Sequence, residues 1–311
     1  MASNQEFEIV VVGGGRAGLS AGLAGARLGR KTLVLTGDVL GGQLLSIEKV
    51  EGFPGFPEGI PGYDLCPIAQ EQAVAAGAEC VAGEMTGLTA RDGGWALATC
   101  EGEIMARAVI VATGTHLRKL GVPGEERLTG KGVSHCATCD APLLRGKIAA
   151  VVGGGDSAMQ ESLTLAASVA RVIVLHRGAA LGGQAEYRAR VAAEPKIEVR
   201  LGATVEEILG EDGVTGLRLG DSSVIEAAGV FVYVGLAPNS TVLDGMLKLD
   251  PGGRILVDGS MRTALRGVLA AGTVRAGSPG RAVASAGDGT EAAIAADRYL
   301  ADGTWSGGSH G

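Results

Sequence analysis

Aromatic residues are scarce in this chain: phenylalanine, tryptophan and tyrosine make up 3% of 311 residues, although 46% are hydrophobic. Any core must therefore be filled by Val, Leu, Ile and Ala. Basic clusters are missing as well, and with a net charge of −7 the sequence argues against nucleic acid or an anionic membrane surface as partner. No run of eighteen apolar residues occurs and the first apolar run starts close to Met1, so neither a membrane span nor a signal peptide is expected. A cytoplasmic location follows as an expectation. Cysteine is limited to five residues, and in a reducing compartment a structural staple is not expected. Cys66, Cys80 and Cys100 are scattered, and His135 adjoins Cys136 without a second Cys or His pair, so no metal site is expected. The three lone cysteines read as small buried apolar residues, with Cys66 the more exposed because Pro67 beside it marks a loop.

Glycine, by contrast, is abundant at 53 residues, and its placement is informative. The apolar run at residues 7–12 reads as a buried strand and leads into Gly13-Gly14-Gly15-Arg16-Ala17-Gly18 and an alanine-rich helical stretch. In such a loop Gly13 permits the tight turn, Gly15 lets backbone approach a pyrophosphate, and Gly18 lets helix pack on strand. The pattern recurs. Residues 147–152 lead into Gly153-Gly154-Gly155-Asp156-Ser157-Ala158, and the strands at residues 31–35 and 171–175 follow the two loops at the same interval. Two dinucleotide-binding domains of one design are expected.

The remainder closes each domain in parallel fashion. Residues 84–107 read as a meander before an apolar strand at 108–111, and residues 205–226 read as a meander before a strand starting at Val230. A third strand at 268–271 precedes a C-terminal helix over about 284–300, a segment with no closing partner unless it returns to the first domain. The expected class is α/β, with two Rossmann-like, three-layer domains, the second inserted into the first. Residues 1–117 and 244–311 form the first, residues 118–243 the second, and the glycine- and serine-rich tail from Asp302 is expected to be disordered.

Just before the second loop stands Cys136-Ala137-Thr138-Cys139-Asp140. Two cysteines separated by two residues can close a small, exchangeable disulfide, and a helix N-terminus nearby can lower one thiol's pKa to yield a nucleophile. Asp140 reads either as a turn or helix-capping residue or as a group that moves protons for the dithiol.

Taken together with Gly41-Gly42-Gln43, Val50-Glu51-Gly52-Phe53-Pro54-Gly55, Ala112-Thr113-Gly114, Gly235-Leu236-Ala237-Pro238-Asn239 and Ser285-Ala286-Gly287, these motifs make the whole chain resemble the low-molecular-weight thioredoxin reductases. The resemblance implies FAD in the first domain, at Gly13, Gly15, Gly18, Gly41, Gln43, Thr113, Gly114, Thr273, Arg281 and Ala282. It implies NADPH or NADH in the second, at Gly153, Gly155, Asp156, Ser157, Ala158, His176 and Arg177. It also implies a homodimer and a thioredoxin or another thioredoxin-fold protein as partner. Cys139 would exchange electrons with the flavin, Cys136 would attack the substrate disulfide, and Asp140 would serve as proton donor or acceptor.

Three departures qualify the resemblance. NADPH-using relatives carry two adjacent arginines and a third nearby; here Arg177 is followed by Gly178 and Gly182, with Arg188 or Arg190 as substitutes. Relatives have Gly-Asp-Val where this chain has Gly272-Thr273-Val274, and Arg-Gln-Ala where it has Gly280-Arg281-Ala282. Arg281 either places a charge near the flavin or points to solvent. Arg16 stands where a proline is common and faces either the pyrophosphate or water. Two alternatives keep the flavin and the dithiol: an oxygen-linked dithiol oxidase, and a reductase fed by a non-nicotinamide donor.

Overall fold

A computed structural model describes residues 5–305 and divides into two compact units. The first takes the chain up to His116 and again from Ala237; the second comprises Leu117–Leu236. The sequence places the return to the first domain after residue 243, but the chain rejoins it earlier. Asn239 donates its backbone N–H to the Gly114 carbonyl at 3.0 Å, and Ser240 Oγ donates to Gly253 O at 2.7 Å, which ties both residues into the first unit.

In the first unit, β1 (Gln5–Val12), α1 (Arg16–Arg27) and β2 (Thr32–Leu35) are followed by α2 (Gly62–Ala75) and β3 (Glu79–Val81). An antiparallel meander of β4 (Met85–Arg91), β5 (Gly94–Thr99) and β6 (Gly102–Val111) comes next. The sequence separates this meander from an apolar strand at 108–111, whereas the structure joins them. β6 pairs with β5 through its first half, then with β17 (Val268–Ala270) on leaving it, while running parallel to β1 on its other edge. Alternation along β1 divides it between two cores. Ile9 and Val11 pack with α1 and with α6 (Ala282–Asp302), and Val10 and Val12 pack with Leu88, Trp95 and Leu97 of the meander. Small residues let the helix layer close up: at Gly289 of α6 a Cβ would run into the Ala17 carbonyl of α1.

The second unit repeats the plan on a smaller scale. β7 (Thr115–Leu117) carries the chain out and β16 (Leu236–Pro238) carries it back. Between them lie β8 (Val133–Ser134), α3 (Ala137–Asp140), β9 (Ile148–Val152), α4 (Asp156–Ala166), β10 (Arg171–His176), α5 (Ala185–Ala193) and β11 (Ile197–Leu201). A separate antiparallel sheet of β12 (Val205–Leu209), β13 (Gly216–Leu219) and β14 (Val224–Glu226) precedes β15 (Gly229–Val232). The parallel sheet has the order β11-β10-β9-β15-β8. Ala150 and Val152 face the meander side with Ile208 and Leu217, and Ala149 and Val151 face the helix side with Leu165 and Tyr233.

The cysteines depart from expectation. Cys66 is not in a loop but on α2, fully buried, with Pro67 inside the helix, and burial pushes its thiol up to about 11. Cys80 lies on the edge strand β3 and is half-buried, and Cys100, in the turn between β5 and β6, is exposed. Of the C-terminal tail, residues 306–311 fall outside the described residues; Trp305 packs edge-on against Tyr299 with ring centroids 5.2 Å apart.

Candidate active site

Both glycine loops adopt one backbone form. Gly13 and Gly153 have φ of 120° and 150°, and a Cβ at either would strike a carbonyl of a neighbouring segment, that of Ala112 or of Tyr233. Gly15 and Gly155, which cap α1 and α4, face the opposite situation: no atom lies within 4 Å of where a Cβ would stand, and neither cap uses a side chain. The N–H groups of each first turn thus border an open space that fits a pyrophosphate. At the third position the loops diverge. A Cβ on Gly18 would run into the Gly13 carbonyl, whereas Ala158 is accommodated and fully buried. Asp156 opens α4 and accepts the Gln184 N–H at 2.7 Å, and Ser157 beside it is exposed.

Around the first loop the structure gathers most of the residues expected at the flavin. Gly41 donates its N–H to Gly14 O at 3.1 Å, and Gln43 Nε2 donates to Thr115 O at 3.1 Å. Thr113 Oγ1 donates to Asn239 O at 2.7 Å, Gly114 has a left-handed φ of 69°, and the Thr273 and Thr115 hydroxyls share a hydrogen bond of 3.2 Å. Arg281, half-buried, and Ala282 stand at the start of α6. Arg16 takes a third course, with its guanidinium 5.1 Å from the centre of the Phe53 ring and its Nε buried without a hydrogen-bond partner. The turn bearing Thr273 has an anchor that the sequence reading missed. Asp288 accepts the Gly272 N–H at 3.1 Å and takes the Arg275 guanidinium in a two-point contact, 2.7 Å at each oxygen.

At the end of β10 the His176 ring packs over the second loop, so that a Cβ on Gly154 would run into it and one on Gly178 would stand 2.6 Å from its Nε2. Arg177 is exposed. The suggested substitutes are otherwise engaged: Arg188 donates to Gly183 O at 2.9 Å, and Arg190 lies over the Tyr187 ring and beside Glu186. Gly182 has room, with the nearest atom 3.5 Å from a built Cβ.

Cys136 and Cys139 are joined by a disulfide, their Cα atoms 5.4 Å apart. Cys136 caps α3, its sulfur accepting the Cys139 N–H at 3.2 Å, an arrangement that favours a thiolate at Cys136 once the bond is broken. Ser134 Oγ accepts the Cys136 N–H at 3.0 Å. Cys136 is half-buried and Cys139 exposed. Asp140 makes no capping hydrogen bond to the turn Ala141–Leu144 that follows, so it does not take the capping role considered for it. Glu161, also missed in the sequence, accepts the Ala137 N–H at 3.0 Å. A signal for both missed carboxylates exists. Glu161 falls on the buried stripe Ala158, Ser162, Leu165 of α4, and Asp288 on the stripe Ser285, Ala292, Ala296 of α6, where helical periodicity calls for an apolar residue.

Two nucleotide cradles and a disulfide closed on a helix cap define a nucleotide-dependent disulfide oxidoreductase. The family model for pyridine nucleotide-disulphide oxidoreductases matches residues 7–289. The chain is 38% identical to the thioredoxin reductase of Treponema pallidum, over 95% of this chain and 97% of that one. Among solved structures, the thioredoxin reductase of Lactococcus lactis superposes with a TM-score of 0.90 at 33% identity, covering 94% of this chain and 99% of that one. That of T. acidophilum gives 0.89 at 33% identity, covering 94% and 98%. The chain belongs to the low-molecular-weight thioredoxin reductase family. It is an oxidoreductase that uses FAD and a nicotinamide nucleotide, and its electrons pass through a dithiol to a disulfide. Among the described residues no helix is long and apolar enough to cross a membrane.

Proposed function

We propose that this protein reduces the disulfide of a thioredoxin or another thioredoxin-fold protein through Cys136 and Cys139, in the cytoplasm and as a homodimer. The observation that carries the reading is the Cys136–Cys139 disulfide with the Cys139 N–H on the Cys136 sulfur. FAD, when bound, supplies the two-electron exchange between nicotinamide and disulfide. In the reduced pair, the Cys136 thiolate attacks one sulfur of the substrate disulfide and the other leaves as a thiolate, which takes up a proton with Asp140 as donor. Cys139 then attacks Cys136 in the mixed disulfide, which releases the second substrate thiol and restores the starting bond. The nicotinamide nucleotide would lie on the Gly153 loop with Arg177 near its ribose, and Asp140 would handle the protons. The relatives named as thioredoxin reductases favour this reading over the dithiol oxidase and over the non-nicotinamide donor.

The test uses two variants. Cys139→Ser is expected to abolish reduction of a protein disulfide yet leave flavin bleaching by NADPH or NADH intact in anaerobic stopped flow, because that step uses no sulfur. Cys136→Ser is expected to lose the same turnover. Retention of turnover in both would make the dithiol structural.

A further inference from the structure

The carboxylate of Glu161 lies under the dithiol turn. The residue is 8% exposed, and it projects from the stripe of α4 that faces the helix-side core. Its Oε2 accepts the N–H of Ala137, so a single peptide unit separates the carboxylate from Cys136 Cα. Tyr233, also 8% exposed, packs in the same helix-side core with its hydroxyl buried and without a hydrogen-bond partner; burial and then the Glu161 charge push its phenol above the ordinary range, with Asp140 adding less. The turn is thereby held at three successive points: Ser134 on the Cys136 N–H, Glu161 on the Ala137 N–H, and the Cys136 sulfur on the Cys139 N–H. The carboxylate thereby places a negative charge one peptide unit from Cys136.

We infer that Glu161 is a positioning residue of the dithiol, anchoring the Cys136–Cys139 turn through Ala137 and, by its negative charge, opposing a thiolate at Cys136 so that the reduced pair gives up electrons readily. The inference rests on the redox reading of the pair. Reduction breaks the S–S bond with two electrons, delivered from the nicotinamide nucleotide through the flavin; one proton then yields a thiol and a thiolate, and a second yields two thiols. A fixed anion disfavours the product that carries the thiolate and leaves the neutral disulfide untouched, which moves the equilibrium toward the disulfide. The other titratable groups facing the turn are Asp140 on α3, Tyr233 after β15 and His135 after β8, whose Nδ1 is hydrogen-bonded to Val232 O at 3.0 Å.

Glu161→Gln keeps the acceptor and removes the charge. On the FAD-loaded protein, the pH midpoint for iodoacetamide alkylation of the reduced pair is expected to fall by about one unit. Equilibration with a dithiothreitol redox buffer is expected to shift about tenfold toward the dithiol. A folded Gln variant with both values at wild type would reduce Glu161 to an anchor and overturn the inference. Should that variant not fold, Glu161→Asp decides: the shorter side chain keeps the charge but draws it back from the Ala137 N–H, and the midpoint is expected to fall, so a midpoint that stays or rises overturns it. A wild-type pair that no dithiothreitol concentration reduces would overturn the redox reading itself, and this inference with it.

Discussion

The two glycine loops are nearly superimposable in backbone and nearly opposite in surroundings. Their caps match, Gly15 at φ −80°, ψ −176° and Gly155 at φ −93°, ψ −175°, and each turns an open space toward the helix N-terminus. Beyond the caps the likeness stops. The second glycine of the first loop meets Thr36, and that of the second meets the His176 ring; the first helix presses a glycine on its own loop, and the second an alanine. A phosphate cradle is thus a property of the backbone, set by a few glycines, whereas the choice of nucleotide is left to side chains at the end of the next strand. Each unit also holds one turn by a buried carboxylate, Asp288 on Gly272 and Glu161 on Ala137, and the former is answered by a guanidinium.

Removing one half of the ion pair in the first unit breaks this comparison most severely. Asp288→Asn leaves Arg275 poorly neutralised in a site where its side chain is 14% exposed, at a cost of about 3–5 kcal/mol, and frees the turn that carries Thr273. A lowered melting temperature together with loss of bound FAD on dilution is expected; a yellow protein of wild-type stability would separate Asp288 from the flavin turn. The nucleotide side sharpens the contrast. Gly182→Arg has space for its side chain and is expected to tighten NADPH by about 10- to 100-fold while leaving NADH nearly unchanged, as measured by flavin reduction at varied nucleotide. Gly178→Arg must first displace the His176 ring and is expected to gain less.

Exchanging the third loop position tests whether the two helices are interchangeable. Gly18→Ala drives a Cβ against the Gly13 carbonyl, backbone that cannot step aside, and is expected to cost about 1–3 kcal/mol; Ala158→Gly in the other unit is expected to cost about 1 kcal/mol. Equal losses in thermal melts would mean that the packing difference is immaterial. The smallest effect concerns acid. The Lys31 N–H, then Arg30, hold the Glu8 carboxyl below its ordinary value, so its contribution is present above the unfolded value and lost as pH falls through the folded one. Glu8→Gln is expected to lower stability by about 1 kcal/mol near neutrality, with the difference from wild type shrinking toward pH 3.

The sequence made the repeating architecture legible because glycine loops and apolar runs are local patterns with local causes. Alternation in β1 and the spacing of loop to strand are read directly from residues a few positions apart. What stayed hidden depended on contacts distant along the chain. Periodicity marks Asp288 and Glu161 only as charges on buried stripes, and their partners Gly272 and Ala137 lie far off along the chain; Cys66 reads as a loop residue because Pro67 commonly ends a helix that here continues. Likewise the return at Ala237 follows from the Asn239–Gly114 bond, which no composition shift announces. The erosion at Gly178 and Gly182 was visible as absence, but that His176 obstructs one of them and not the other is a matter of ring placement.

The points at which the inserted unit joins the first have a consequence for assembly order. In the first unit, the bond between Asn239 and Gly114 fastens the two cut ends together; in the second, the Arg118 N–H reaches Gly235 O at 2.9 Å and does the same from the other side. For the first unit the insertion is therefore a very long loop, whose closure as an unstructured chain would cost roughly 4 kcal/mol in entropy. An insertion that is itself folded holds those ends together and removes most of that cost, so closing β17 onto β6 and α6 onto α1 is entropically cheaper when the interior domain is complete.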